Sequence, residues 1–230
     1  MIEISNLSKH FFIGERRIDV LRELSLNIKK DKITVILGRS GCGKTTLLRL
    51  IAGLESVSLG EIKFKEQAKI GFVFQEPRLM PFLNVYENIV FPLKKNEIEP
   101  EKIGSLISMI GLSDFKFAAV SQLSGGMSSR VSLARVLAYE ANLILMDEPF
   151  AALDAFTRAS MQAEILKIQA GKTILFVTHN IDEALFLADE IILLEKGGIK
   201  SNYELSNLAK PRDLLSEELI AIKRKILSEI

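Results

Sequence analysis

The sequence has no tryptophan, one cysteine and two histidines in 230 residues. A single cysteine, Cys42, excludes an internal disulfide, so the core has to hold by packing alone and a reducing compartment is expected. Charge of one sign is also lacking: 30 basic residues meet 29 acidic ones, interspersed along the chain, for a net charge of +1. That balance leaves no electrostatic footprint for nucleic acid. No apolar run approaches the ~18 residues that a membrane span requires. The opening MIEISNLSKH lacks the charged-then-apolar pattern of a secretory signal. The expectation is a soluble, cytoplasmic chain, long enough to bury a sizeable core. A hydrophobic content of 48% still leaves room for an apolar face that meets another protein.

What is present is a series of short apolar runs bounded by Gly, Asp or charged residues: KITVILG (32–38), KIGFVFQ (69–75), ANLILMDE (141–148), KTILFVTH (172–179) and EIILLE (190–195). These read as buried strands. Helical patterns at 43–53, 155–170 and 180–188 lie between several of them, as a parallel, helix-covered sheet requires. The class is α/β. From about 78 to 138 the pattern is helical instead, with Met127, Val131, Ala134 and Ala138 on one stripe after Ser124, and Pro77, Pro81 and Pro92 punctuate the entry. This segment reads as a helical subdomain, 78–138, inserted into a core of 1–77 and 139–210, with a helical tail at 211–230.

After the strand ending at Leu37 comes GRSGCGKTT (38–46), then the helical LLRLIAGL. This matches G-x-x-x-x-G-K-[ST] in its required setting of strand, glycine loop and helix. Gly38, Arg39, Ser40, Gly41, Cys42, Gly43, Lys44, Thr45 and Thr46 are the candidate nucleotide-binding residues. The glycines let successive N–H groups turn towards phosphate oxygens, and the helix start adds its partial positive charge. Lys44 is expected to reach the β- and γ-phosphates of a nucleotide, and the Thr45 hydroxyl to ligate Mg²⁺. Cys42 reads as a small residue tolerated in a tight loop.

Such a site needs a carboxylate on a neighbouring strand to hold Mg²⁺ and a group that activates water. In ANLILMDEP, Asp147 emerges from an apolar strand as the metal-side carboxylate, and Glu148 follows as the general base. Gln75 and His179 each end another apolar strand. Gln75 is placed near the metal or the attacking water, and His179 near the γ-phosphate. In QLSGGMSSR, Ser124 is a good N-cap, and Gly125-Gly126 free the next N–H groups, so a second helix start can face an anion.

With GRSGCGKTT, Gln75, LSGGM, LILMDEP, AALD (151–154) and His179 in this order, the chain resembles the ATP-binding subunit of ATP-binding cassette (ABC) transporters over nearly all of residues 1–200. The resemblance implies a P-loop NTPase fold: a mainly parallel sheet core, an N-terminal antiparallel β part and the inserted helical subdomain. It implies an ATPase with ATP and Mg²⁺ as cofactors, and catalytic Glu148, His179 and Gln75. Thr45, Gln75 and Asp147 would lie at the metal, and Phe11, or the adjacent Phe12, would stack on adenine. Two such subunits would pair head to tail as a homodimer, with Ser124, Gly125, Gly126 and Met127 of one completing the nucleotide site of the other. Asp154 would lie in the loop that crosses the interface, and it is also a candidate N-cap for the helix that follows.

A transport role then requires separate membrane subunits, docked near EPRLMPFLNVYENIVFPL (76–93), and places the chain on the cytoplasmic side of the membrane. Details of this segment and of DEPFAALDAFTR resemble importers of the nitrate, sulfonate, taurine and thiamine-precursor groups, which use an external solute-binding protein. Met127 strengthens that likeness. Ser128-Ser129, and Ala118-Ala119-Val120 before Ser121, depart from the usual pattern. The alternatives are an export ATPase and a soluble ABC protein acting on ribosomes or DNA.

Overall fold

Two long strands, β1 (Ile2–Ile13) and β2 (Arg16–Ile28), open the chain as an antiparallel hairpin that turns at Gly14, where φ is +60°. In the computed structural model, which describes residues 1–230, the hairpin is followed by β3 (Ile33–Leu37), α1 (Lys44–Ile51), β4 (Leu59–Phe64) and β5 (Ile70–Val73). Three helices come next: α2 (Val85–Val90), α3 (Pro100–Met109) and α4 (Gly125–Ala138). The chain then alternates through β6 (Leu143–Asp147), α5 (Ala155–Ile168), β7 (Thr173–Thr178), α6 (Ile181–Leu187), β8 (Glu190–Glu195) and β9 (Gly198–Glu204), and closes with α7 (Glu217–Glu229). The first sheet has the order β2-β1-β4, and the second β5-β6-β7-β3-β8-β9. In the second, every pair is parallel except the antiparallel edge pair β8–β9.

Each of the five apolar runs forms a strand of this second sheet. They read as continuous apolar runs because both faces of the sheet are covered. Successive side chains on one strand point to opposite faces. Ile144, Met146, Ile174, Phe176, Ile191 and Leu193 enter the core under α4, α5, α6 and α7. Leu143, Leu145, Leu175, Val177, Ile192 and Leu194 enter a second core with α1 and the β1–β2 hairpin. β9 was not among the expected strands: it is an edge strand with a mostly exposed, polar face, so it carries no apolar run.

Between β5 and β6 the helices build a core of their own from Val85, Ile89, Ile103, Ile107, Ile110, Leu112, Val131, Ala134 and Ala138, with Met127 packed against it. The stripe expected after Ser124 therefore faces inward. Asn84 starts α2 with a reciprocal cap: its Oδ1 accepts from Glu87 N, and Glu87 Oε2 accepts from Asn84 N, both at 2.9 Å. The tail forms a single helix, α7, which buries Leu219 and Ile226.

The turn that leads into α2 is held by one buried side chain. Asn88 accepts from Met80 N at 2.8 Å, and its Nδ2 faces the carbonyls of Met80, Leu83 and Asn84 at 3.0 to 3.2 Å. Asn88→Ala strands these groups away from water and is expected to cost about 2–3 kcal/mol. Urea denaturation measures this, and hydrogen exchange should show the Met80 amide losing protection.

Candidate functional site

The phosphate-loop candidates stand where β3 leaves the sheet. Gly38 follows directly, and a Cβ there would lie 2.4 Å from the Leu194 carbonyl oxygen and 2.8 Å from Cys42 Sγ, so only glycine fits. Gly43 precedes α1 with φ +108°, a conformation that side chains rarely adopt. No side chain caps α1, and no acidic residue lies in its first turn. Its first N–H groups and its positive end are therefore open to an anion. Lys44 is 5% exposed, and its Nζ donates to the carbonyls of Gly38 at 2.8 Å and Arg39 at 3.0 Å. The ammonium is thus held inside the curve of the loop.

A cleft of about 580 Å³ opens over the loop. Gly38, Arg39, Ser40, Gly41, Gly43, Lys44, Thr45 and Thr46 form its floor, and Gln75, Glu148 and His179 reach it from beyond β5, β6 and β7. All of these strand ends lie at the carboxyl edge of the sheet, where ligands of open α/β sheets bind. Cys42 is turned away from this cleft and lines a smaller cavity of about 230 Å³ beside it. Burial pushes its thiol up, which favours the unreactive protonated form. Two residues that sequence reasoning missed also touch the cleft. They are Val20 of β2 and Ile230, whose carbonyl accepts from the Arg39 guanidinium. Neither belongs to a motif, and no local signal marks them.

Asp147 ends β6 buried, and its Oδ1 accepts from Thr45 Oγ1 at 2.9 Å. Burial pushes its carboxyl up, with the Thr45 hydrogen bond opposing. Glu148 turns out of the strand at φ +44°, an uncommon conformation for a side-chain-bearing residue. Its own N–H donates to the Val177 carbonyl at 3.0 Å and ties the turn to β7. Its carboxylate lies between two groups: Lys44 Nζ is 3.9 Å from Oε1, and His179 Nδ1 is 3.0 Å from Oε2. With the carboxylate ionised, Nδ1 carries the shared hydrogen. Nε2 of a neutral ring is then an acceptor, and it donates only in the imidazolium form.

The remaining candidates lie elsewhere. Ser124 caps α4 by accepting from Met127 N at 3.2 Å, but none of Ser124, Gly125, Gly126 or Met127 lines the cleft. Instead the two glycines back onto the 151–154 loop: a Cβ at Gly126 would lie 3.2 Å from Leu153 Cδ2 and 3.3 Å from the Ala152 carbonyl oxygen. Asp154 caps α5, accepting from Phe156 N and Thr157 N at 3.0 Å each. These bonds and the Thr157 hydroxyl hold its carboxyl below the usual range. Phe11 is half-buried with Lys9 Nζ 4.6 Å above its ring, whereas Phe12 is 65% exposed; neither lines the cleft.

The fit at Gly38 yields a direct test. Gly38→Ala has to displace either the Leu194 carbonyl or the loop itself, and is expected to weaken ATP binding by at least about tenfold, ~1.4 kcal/mol. Titration with a fluorescent ATP analogue checks it.

Comparison with known proteins identifies the family. Residues 21–151 match the model of a family described as ABC transporter. The chain is 39% identical to the aliphatic sulfonates import ATP-binding protein SsuB of Bacillus cereus, with 99% of this chain and 95% of the relative aligned. It is 38% identical to the spermidine/putrescine import ATP-binding protein PotA of Bacteroides fragilis, covering 100% of this chain and 51% of that longer one. Among solved structures it resembles the dimeric, post-hydrolysis ATP-binding cassette MJ0796 bound to ADP and Pi. The TM-score is 0.83 at 33% identity, over 89% of this chain and 99% of that one. A glycine loop that opens a helix, two carboxylates at the strand edge and this extent of likeness lead to one conclusion: the chain belongs to the ABC transporter family, as an ATP-binding and ATP-hydrolysing subunit.

Proposed function

We propose that the chain hydrolyses ATP to drive solute import through separate membrane subunits, and that Glu148 is the base of the reaction. The observation that carries this reading is the convergence of Lys44, the Thr45–Asp147 pair and the Glu148–His179 pair at one sheet edge. In the proposed reaction the loop N–H groups and Lys44 bind the β- and γ-phosphates. Glu148 takes a proton from water as the water oxygen bonds to the γ-phosphorus. The bond from that phosphorus to the β,γ-bridging oxygen breaks, leaving ADP and phosphate. His179 holds the Glu148 carboxylate in place through Nδ1, and Gln75, which lines the same cleft, serves the metal or the attacking water.

The donor set suits Mg²⁺. Asp147 is a buried carboxylate whose hydrogen-bond partner is a neutral hydroxyl, and Thr45 and Gln75 add two more oxygens. A cation of this kind is held by one or two carboxylates and keeps waters and substrate phosphates as its other ligands. When bound, Mg²⁺ supplies charge neutralisation on the phosphate oxygens.

The same reading divides the chain into a catalytic core at 1–77 and 139–210, a helical subdomain at 78–138 and a tail at 211–230. It takes the active form as two copies paired head to tail. Support comes from the two helix starts able to meet an anion, α1 and α4, of which only the first reaches the cleft. Phe11 is the proposed adenine contact, and Asp154 borders the partner. For the membrane subunits the proposed contact is 76–93. There Val85 fills the helical core, whereas Phe82 is 77% exposed. No helix is long and apolar enough to cross a membrane; the proposed attachment to the cytoplasmic face is through such subunits. The sulfonate relatives make an aliphatic sulfonate, delivered by a solute-binding protein, the first cargo to test.

Two variants test the chemistry and the pairing. Glu148→Gln should lower turnover at least about a hundredfold while ATP binding changes little and an ATP-bound dimer accumulates in light scattering. Turnover near wild type removes Glu148 from the base role. Gly126→Asp places a carboxylate at the start of α4 and should abolish hydrolysis and ATP-dependent pairing while the monomer still binds nucleotide. Loss of monomer binding in that variant would contradict the shared site. Solute-stimulated ATPase in vesicles carrying the membrane subunits and binding protein tests the import assignment.

A further inference from the structure

Beyond Glu148, one carboxylate stands out in this part of the molecule. Glu183 lies in the first turn of α6 yet is only 6% exposed, and the reaction described above does not use it. An acid at this position ordinarily complements the helix dipole from the surface. Here burial pushes the carboxyl up, so keeping it inside costs free energy that its contacts must offset. Those contacts run in two directions.

On one side, Thr178 Oγ1 donates to Glu183 Oε2 at 2.7 Å. The same hydroxyl oxygen accepts from Asn180 N at 3.0 Å. Thr178 and Asn180 flank His179, so both ends of the residue that touches Glu148 are fastened to one hydroxyl, and that hydroxyl is aimed by Glu183. Asn180 Oδ1 in turn caps α6, accepting from Asp182 N at 2.9 Å and Glu183 N at 3.3 Å. On the other side, Arg158 Nε stands 3.6 Å from Glu183 Oε1, while Arg158 Nη2 donates to the Leu153 carbonyl at 3.0 Å. Glu148, Thr178, His179, Glu183 and Arg158 together line a polar cavity of about 100 Å³. The carboxylate thus joins the His179 turn to the 151–154 loop, behind the cleft that holds the phosphate loop.

We propose that Glu183 is a positioning residue for ATP hydrolysis: through the Thr178 hydroxyl it fixes the His179 turn so that Nδ1 stays on the Glu148 carboxylate, with Arg158 anchoring Glu183 on the Leu153 carbonyl. The physical reason is the exposure of His179, whose side chain is 64% accessible and cannot be held by packing. An exposed imidazole keeps one orientation only if its backbone is rigid, and a small displacement of a catalytic group is enough to lower a rate about a hundredfold. A carboxylate suits this task better than an apolar side chain because it accepts from the hydroxyl and pairs with the guanidinium at once.

The inference rests on the reading that Glu148 and His179 perform the chemistry, and the variants are chosen to separate the two. In the purified full chain with Mg²⁺ and ATP, Thr178→Val and Glu183→Ala should each lower kcat about tenfold or more while KM and the affinity for a fluorescent ATP analogue stay within about threefold. The double variant should be no slower than the worse single variant by more than about twofold, since both break one linkage. Glu183→Gln, which keeps an acceptor for Thr178, should restore kcat to within about threefold of wild type. If Glu183→Ala does not fold, Thr178→Val and Glu183→Gln carry the comparison. A kcat within twofold of wild type in Thr178→Val, losses that multiply in the double variant, or a fall in affinity matching the fall in rate would each overturn the proposal. His179→Ala separates the levels. If it hydrolyses ATP at the wild-type rate, the Glu148–His179 reading itself fails. If it is inactive while Thr178→Val is unimpaired, the role of Glu183 alone is refuted.

Discussion

The parallel ladder that joins β5, β6, β7 and β3 determines where Gln75, Glu148 and His179 can stand. Its register sets Val73 beside Met146, Asp147 beside Val177 and Leu37 beside Thr178. Strands buried on both faces disfavour charged side chains except where they run out of the sheet. The three chain segments that follow these strand ends therefore bring Gln75, Glu148 and His179 to one edge, over the loop that leaves β3. The cleft is a consequence of sheet register before it is a property of any motif.

Holding these groups there is costly. Asp147 keeps a carboxyl in a buried position with a hydroxyl as its partner, and Glu148 adopts a left-handed backbone conformation to turn its carboxylate towards Lys44 and His179. Gly38 accepts a contact that no side chain could share. Such departures from local preference concentrate at sites that bind and react. The apolar cores on both faces of the sheet, built from the alternating residues of the same strands, offset them.

The 151–154 loop links parts that are far apart in sequence. It leaves Glu148, backs the glycines at the start of α4 through Ala152 and Leu153, and accepts Arg158 at the Leu153 carbonyl. Arg135, within α4, reaches back to donate to the carbonyls of Pro77 at 3.0 Å and Arg78 at 3.2 Å, just after Gln75. The helical part is thereby fastened to the segments on both sides of the cleft.

Local patterns in the chain were enough to mark the strands with two buried faces, the glycine loop before Lys44 and the helix starts. In each the signal is local: an unbroken apolar run, glycines at set spacing before Lys44, or a capping residue such as Ser124 or Asp154. It did not mark β9, whose exposed polar face looks like a loop, nor Glu183, whose place in a first helical turn looks like ordinary dipole matching. The choice between Phe11 and Phe12 was equally closed to it, because adjacent residues of one strand differ only in which face they take. Tertiary structure alone decided that the cleft gathers the phosphate loop, Gln75, Glu148 and His179 and leaves Ser124, Gly125 and Gly126 outside. It also decided that Glu183 is buried behind His179. Burial and convergence depend on which strands pair and in what register, and that long-range outcome is written in no single stretch of chain.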